Sequence, residues 1–394
     1  MSRRIPKTVT YEIEFTEDYP NGAPYCRHGP AIRLKVINRM KTEKVSYKWA
    51  CSFDRDGNCP LKAKEEMITK SPVSSSNEVR INPNWQKDFK TRTNDKGQGQ
   101  YFFDKETIGV ITRNMVPGEK IILLGCPTLL IPMIELNFDA VLLDIDERFE
   151  NIFPSKYFKR FNMTNCHFLS DNDEAWFRKF RDKGDKVTVI SDPPFGMMVN
   201  VLMRTINLLC KNGGIYVFFP WFNDSRFHDN QLRMSDYKVR YEKHSKMNRN
   251  NTVRIFSNRL QSFKLGDGYK YCSQCLRYVS NDQFHCKKCD SCCDRSGRGV
   301  KHCQKCKLCT VKSHQHCDKC NQCKPKDHIC VKKTVLKCFS CNKVGHMEKD
   351  CHQIKRSKTY FSFFSFRYSN VRTAIQNSIE LDVLIFILLK LPTE

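Results

Sequence analysis

Long apolar runs are what this 394-residue chain most visibly lacks. The longest candidate, "VLIFILL" at Val383–Leu389, is flanked by Asp382 and Lys390 and falls far short of the ~20 residues that span a bilayer. No membrane is expected as a partner. "MSRRIPKTVTYEIEF" contains no apolar h-region, so no secretory leader is expected either. Acidic residues are in short supply: 42 Asp and Glu face 67 Lys and Arg, a formal net charge of +25. That imbalance favours an acidic partner, and nucleic acid is the first candidate. Beyond Lys264 aliphatic residues also become scarce, down to about residue 352. No ordinary core can form there, so metal must do the folding.

What the chain has instead is cysteine, 22 in all, much of it in C-x2-C pairs interleaved with His. That is ligand spacing for zinc in a reducing compartment, not a disulfide framework. The unit H-C-x2-C-x2-C occurs three times, as "HCKKCDSC" from 285, "HCQKCKLC" from 302 and "HCDKCNQC" from 316. Cys272-x2-Cys275 stands ahead of these units, with His328 and Cys330 behind. Tetrahedral zinc takes four N/S ligands. The count closes if the His and last Cys of each unit complete the preceding site while its C-x2-C opens the next. The sites are then Cys272, Cys275, His285, Cys292; Cys286, Cys289, His302, Cys309; Cys303, Cys306, His316, Cys323; and Cys317, Cys320, His328, Cys330, with only Cys293 spare. Other partitions of the same ligands are open from spacing alone. The interleaving resembles the cysteine-rich region of the DHHC palmitoyltransferases, but "VKHC" (300–303) stands where their tetrad should be and four membrane helices are lacking. Zinc scaffolding is expected and acyl transfer is not.

Downstream, "CFSCNKVGHMEKDC" (338–351) is C-x2-C-x4-H-x4-C. Cys338, Cys341, His346 and Cys351 have the spacing of a zinc knuckle, a single-strand RNA module, with Phe339 as a ring for base stacking. Near the N-terminus, "PYCRHGP" (24–30) together with Cys51 and Cys59 is weaker from spacing but resembles the GRF zinc finger. That resemblance implies Cys26, His28, Cys51 and Cys59 as ligands and a single-stranded nucleic acid as partner. About six zinc ions follow, each site of three thiolates and one imidazole carrying about −1, so +25 becomes about +19. The chain stays strongly basic.

Between these cysteine-rich ends the texture changes. "KIILLG" (120–125), "AVLLDID" (140–146), "VTVIS" (187–191) and "IYVFFP" (215–220) are short, continuous and β-rich, as suits a parallel sheet buried on both faces. Segments 171–183 and 197–211 have helical length and periodicity, which predicts an alternating, doubly wound α/β domain. Ligands of such sheets bind at the carboxyl ends of the strands. After "IILLG" stands "CPTLL" in place of G-x-G-x-x-G, so Gly125 alone admits close backbone approach. "LLDID" ends the next strand in two acids; Asp144 is favoured over Asp146 for ribose hydroxyls. After "VTVIS" come Asp192, Pro193, Pro194 and Phe195. The Asp192 carboxylate and the Pro193 carbonyl can accept from an exocyclic amine, the prolines stiffen the turn, and Phe195 offers a face to a base. Trp221 and Phe222 follow the next strand and could wall the same pocket.

The string "DPPF" resembles the (D/N)PP(Y/F/W) signature of S-adenosylmethionine-dependent amino-methyltransferases. Taken in order, the GRF-like finger, the α/β domain with "SDPPFG", "IYVFFPWF" and "VRIFSN", the Cys/His block and the CCHC knuckle are similar to the zinc finger CCHC domain-containing protein 4 family, over roughly residues 20–352. That resemblance implies a Rossmann-like S-adenosylmethionine-dependent methyltransferase domain flanked by small zinc-stabilised modules, acting on an adenosine N6 of large-subunit ribosomal RNA in the nucleolus. It places catalysis on Asp192, Pro193, Pro194 and Phe195. The expected organisation is a GRF-type finger (24–65), a linker (66–100), the methyltransferase domain (101–262), an interleaved zinc region (265–332), the knuckle (335–352) and an atypical tail (353–394), where "FSFFSFRYSN" replaces the family's basic tail. Competing readings are a non-catalytic RNA-binding protein on a degenerate methyltransferase fold, and a methyltransferase acting on DNA or on protein glutamine. No obligate protein partner is inferable.

Overall fold

The computed structural model describes residues 9–14, 22–38, 44–53, 59–62, 81–89, 100–184, 186–242, 252–295 and 297–330. The expected knuckle, including Cys338, Phe339, Cys341, His346 and Cys351, lies outside these residues, as do the tail and most of the expected linker. Among the described residues no helix is long and apolar enough to cross a membrane.

The N-terminal module has a three-stranded antiparallel sheet of β1 (Val9–Glu14), β4 (Ile32–Asn38) and β5 (Lys44–Ala50), and a small hairpin of β2 (Tyr25–Cys26) and β3 (Gly29–Pro30). Behind it stands an eight-stranded sheet. Its strands are β6 (Lys120–Leu124), β7 (Ala140–Asp144), β8 (Phe158–Asn162), β9 (His167–Phe168), β10 (Val187–Ser191), β11 (Asn212–Pro220), β12 (Arg233–Met234) and β13 (Val253–Ser257), in the order β12-β13-β11-β10-β6-β7-β8-β9. From β11 to β8 all neighbours are parallel, while β9, β12 and β13 pair antiparallel at the two edges. From β6 the chain winds one way through β7 and β8, then returns to β10 and winds the other way. The order of winding therefore reverses between β6 and β10, which is where open α/β sheets form their ligand crevice.

The strands are apolar on both sides because both sides are covered. Ile121, Leu123, Leu142 and Ile190 join one core, against α2 (Lys105–Thr112) and α3 (Leu130–Glu135). Their neighbours Ile122, Leu124, Val141 and Val189 join the other, against α4 (Asp171–Asp182) and α5 (Val199–Leu209). Helix α5 carries Val199, Leu202, Met203, Ile206 and Leu209 on its buried face, the i, i+3, i+4, i+7 stripe of an amphipathic helix. Asp104 caps α2 by accepting from Thr107 N at 2.8 Å. Within the expected linker, a short helix, α1 (Trp85–Asp88), docks on the domain: Trp85 is buried against Phe102, Phe149 and Phe153. An indole surrounded by rings removes enough apolar surface from water to hold a polar segment in place.

The C-terminal block is a series of hairpins: β14 (Tyr269–Cys272) with β15 (Arg277–Ser280), β16 (Val300–Cys303) with β17 (Leu308–Val311), and β18 (Gln315–Cys317) with β19 (Gln322–Lys324). Its join to the eight-stranded sheet is polar and buried. The Arg277 guanidinium donates to Asp236 Oδ1 at 2.5 Å and to the Cys292 carbonyl at 3.0 Å. Gln283 donates to the other Asp236 oxygen, and Arg295 pairs with Asp224 at 2.7 Å. On the opposite side, Asn162 Nδ2 donates to His28 O at 2.9 Å and Asn165 Nδ2 to Pro30 O at 2.9 Å, fastening the N-terminal module beside β8 and β9.

Candidate active site and metal centres

The carboxyl ends of β6, β7 and β10 bring Gly125, Asp144 and Asp192 to one edge of the sheet. Asp192 N donates to Leu124 O at 3.1 Å, continuing the β6–β10 ladder by one residue before the prolines end it. Gly125 has φ +71°, and a Cβ there would stand 3.0 Å from Met163 Cε and 3.1 Å from Asp192 O. Only glycine leaves that approach open.

The two acids after β7 differ sharply. Asp144 is buried, and loss of hydration pushes its carboxyl up to about 7, even though Asp146 N donates to Oδ1 at 2.9 Å and the Gln100 side chain also donates to it. Asp146 is committed elsewhere. Its carboxylate accepts from Arg148 N at 3.1 Å and from the Arg148 guanidinium at 2.8 and 2.5 Å. It caps the turn after β7 and is held in an ion pair, which leaves Asp144 as the acid available for a ligand. Buried without a hydrogen-bond partner among the described residues are Ser191 Oγ, next to Asp192, and Thr128 Oγ1, in the turn after Gly125. An uncovered glycine, a buried acid and unsatisfied hydroxyls fit a polar cofactor at this crevice.

Asp192 keeps some surface open, but its carboxyl lies deep among protein atoms. Burial raises it well above the usual carboxylate range, opposed by a hydrogen bond from Tyr241 OH to Oδ1 at 2.9 Å. The Cys126 thiol lies close by and donates to Ile190 O at 3.1 Å; burial and the Asp192 charge raise it too. Pro193 is buried and Pro194 exposed. Phe195 is half-buried between the two cores and meets Phe219 edge-on, with ring centroids 5.8 Å apart. Trp221 is half-buried against the second core, while Phe222 beside it is 43% exposed. Tyr241 and Gln100 carry no motif. Polarity sets the local texture of "SDYKVRYEKH", and nothing in it singles out one of its two tyrosines.

Metal-binding geometry recurs at five places. Cys26, His28, Cys51 and Cys59 form one cluster; the others are Cys272, Cys275, His285, Cys292; Cys286, Cys289, His302, Cys309; Cys303, Cys306, His316, Cys323; and Cys317, Cys320, His328, Cys330. In each, all four ligand atoms lie within 4.8 Å of one another. The edge of a zinc–thiolate tetrahedron is ~3.8 Å; Cys26 to Cys51 is 3.6 Å, Cys306 to Cys323 3.7 Å and Cys317 to Cys330 3.7 Å. The four C-x2-C turns of the C-terminal block share one backbone device. Leu276, Asp290, Lys307 and Asn321, each following the second cysteine, have φ between 46° and 54°. This left-handed residue folds the turn back around the ion. Backbone amides already favour thiolate there: Cys306 N chiefly lowers Cys303, and Cys320 N chiefly lowers Cys317, each to about 6. Four clusters face through His Nδ1, whereas His328 turns Nε2 to Cys320 and gives Nδ1 to Pro325 O at 3.0 Å.

The family model described as Probable N6-adenine methyltransferase matches residues 94–259. Among curated proteins, the chain is similar to the human "rRNA N(6)-adenosine-methyltransferase ZCCHC4", 38% identical over 250 residues, covering 56% of this chain and 48% of that protein. The Bos taurus protein of the same name is 35% identical over the same shares. The Xenopus laevis one is 31% identical over 370 residues, covering 70% of this chain and 75% of the relative. The match thus spans about half the length of the mammalian proteins and three quarters of the frog one. With the α/β sheet, the edge that carries the acids and the zinc-type clusters in place, the chain belongs to the ZCCHC4 family of rRNA N(6)-adenosine-methyltransferases.

Proposed function

We propose that the chain methylates N6 of an adenosine in large-subunit (28S-type) ribosomal RNA with S-adenosylmethionine as donor, acting in the nucleolus. The observation that carries this reading is the pairing of Gly125 and Asp192 across the reversal between β6 and β10, with buried Asp144 on the next strand. Gly125 and Asp144 are the groups to hold the cofactor, the first by close backbone approach and the second through ribose hydroxyls. When bound, it would supply an electrophilic methyl on a sulfonium leaving group, so that the amine nitrogen gains the methyl and gives up one proton to solvent.

The residues of the chain act on the amine. Its lone pair is delocalised into the ring, so orientation matters more than basicity. The Asp192 carboxylate and the Pro193 carbonyl accept its two hydrogens, and Phe195 supports the base. Holding a nucleophile in line with its electrophile is worth several kcal/mol. Trp221 and the exposed Phe222 are suited to stacking on the flanking RNA. The basic zinc modules, with the CCHC motif at 338–351, give the phosphate backbone its counter-charge.

Purified protein incubated with labelled S-adenosylmethionine and ribosomal RNA, DNA or protein should label RNA adenosine alone, and Asp192→Ala should abolish the label. Absence of label on every substrate would leave a non-catalytic RNA-binding protein. Metal analysis should return near six zinc ions per chain by the full ligand count; four or fewer refutes the partition.

A further inference from the structure

Tyr241 sits where chain geometry leaves it no freedom. Its ring is 1% exposed and stacks on Phe103, centroids 5.2 Å apart at 24°, while Phe103 packs on Phe218 at 4.7 Å. The backbone is pinned on both sides: Glu242 N donates to Phe102 O at 2.7 Å, Asp104 N to Arg240 O at 3.1 Å, and Arg240 N to Thr107 Oγ1 at 3.1 Å. A tyrosine so wedged presents its hydroxyl at a fixed point, and that point is Oδ1 of Asp192, 2.9 Å away.

The surroundings of Asp192 make this bond consequential. The titratable groups facing it are Tyr241 from the segment before β13, Cys126 from the turn after β6, and Asp144 beyond Cys126 after β7; Tyr101 lies on the far side of Tyr241. Among the described residues no cation opposes the burial of this carboxyl, and the Tyr241 hydroxyl is the one group that favours its charged form. A protonated carboxyl has a donor where the amine needs an acceptor. We propose that Tyr241 is a positioning residue for amine methylation: its hydroxyl occupies one oxygen of Asp192, so the other faces the amine as an ionised acceptor. This rests on the amine-methylating reading above. A buried hydrogen bond to a charged group is worth about tenfold in the equilibrium it biases.

The test uses the zinc-loaded full chain, wild type and Tyr241→Phe, which keeps the ring and removes only the hydroxyl. The pH profile of kcat/KM on ribosomal RNA should keep its shape, with the acidic limb about one pH unit higher in the variant. That gives about a tenfold loss on the limb and near-recovery by pH 9, with KM for S-adenosylmethionine unchanged. An equal loss at every pH overturns the proposal. A second readout does not depend on activity: carbon-13 carboxyl NMR with labelled aspartate, the Asp192 signal being identified by its absence in Asp192→Asn. That signal should titrate at higher pH in Tyr241→Phe, and an unchanged midpoint overturns the inference. If wild type labels no RNA but the midpoint moves, the functional reading fails while the role of Tyr241 on Asp192 stands.

Discussion

Asp144→Asn should make the ligand-free protein more stable and a worse cofactor binder at once. Burial pushes the Asp144 carboxyl up to about 7 in the folded chain, against 3.8 ordinarily. A raised folded value means that the acid favours folding only while neutral. Stability is therefore lost progressively as pH climbs from about 4 to about 7, and no further loss follows above that. At pH 8 the buried charge costs on the order of 4 kcal/mol. Asparagine matches the neutral acid in shape and can still accept from Asp146 N, so most of that cost should be recovered. Urea unfolding of the zinc-loaded protein, read by tryptophan fluorescence, should show the variant ahead by about 3–4 kcal/mol at pH 8, the gap narrowing by about 1 kcal/mol at pH 6. Titration calorimetry should show S-adenosylmethionine binding weakened about 10- to 100-fold, from loss of a charged acceptor for ribose hydroxyls. A variant no more stable than wild type at pH 8 refutes the account of Asp144 as a strained acid. Unchanged affinity refutes its assignment to the cofactor.

Two further perturbations probe the frame. Gly125→Ala places a methyl 3.1 Å from Asp192 O at a φ of +71°; it should cost about 1–2 kcal/mol of stability and weaken cofactor binding, and wild-type affinity by calorimetry argues against close backbone approach there. Arg277→Ala strips Asp236 of its ion pair inside the join between the zinc block and the sheet. It should destabilise by about 3–5 kcal/mol, with limited proteolysis releasing the block; an intact, equally stable variant argues that the join rests elsewhere.

Some of this was readable from residue order and some could not be. The central strands announced themselves because two-sided burial demands unbroken apolar runs, and "VTVIS" lies in the sheet from its first residue to its last. Zinc ligands obey local spacing rules, and four of the clusters bring together the residues the interleaved count grouped. Asp144 and Asp146 are two residues apart and chemically identical in sequence; what separates them is that Arg148 reaches back to one and not the other. Tyr241 lies 49 residues from Asp192 in a polar stretch, and Trp85 sits in another. Their roles come from non-local packing, which periodicity does not encode. The joins made by Asn162, Asn165 and Arg277 are single polar contacts across long separations, and composition alone ranks such residues as ordinary surface.

The interleaving of the C-terminal clusters gives that block an unusual tolerance to changes in length. Each H-C-x2-C-x2-C unit closes the site behind it and opens the one ahead. Removing residues 302–315, a whole unit with its spacer, would hand His316 and Cys323 to Cys286 and Cys289, while Cys317 and Cys320 would still find His328 and Cys330, and the join made by Arg277 and Arg295 would be untouched. No ligand except those excised would be orphaned. The array can therefore be shortened or extended by a unit with each new length still able to satisfy its ions, as in solenoids whose repeats touch only their neighbours. The length of the block thus changes in fixed steps, without redesigning the sheet that carries Asp144 and Asp192.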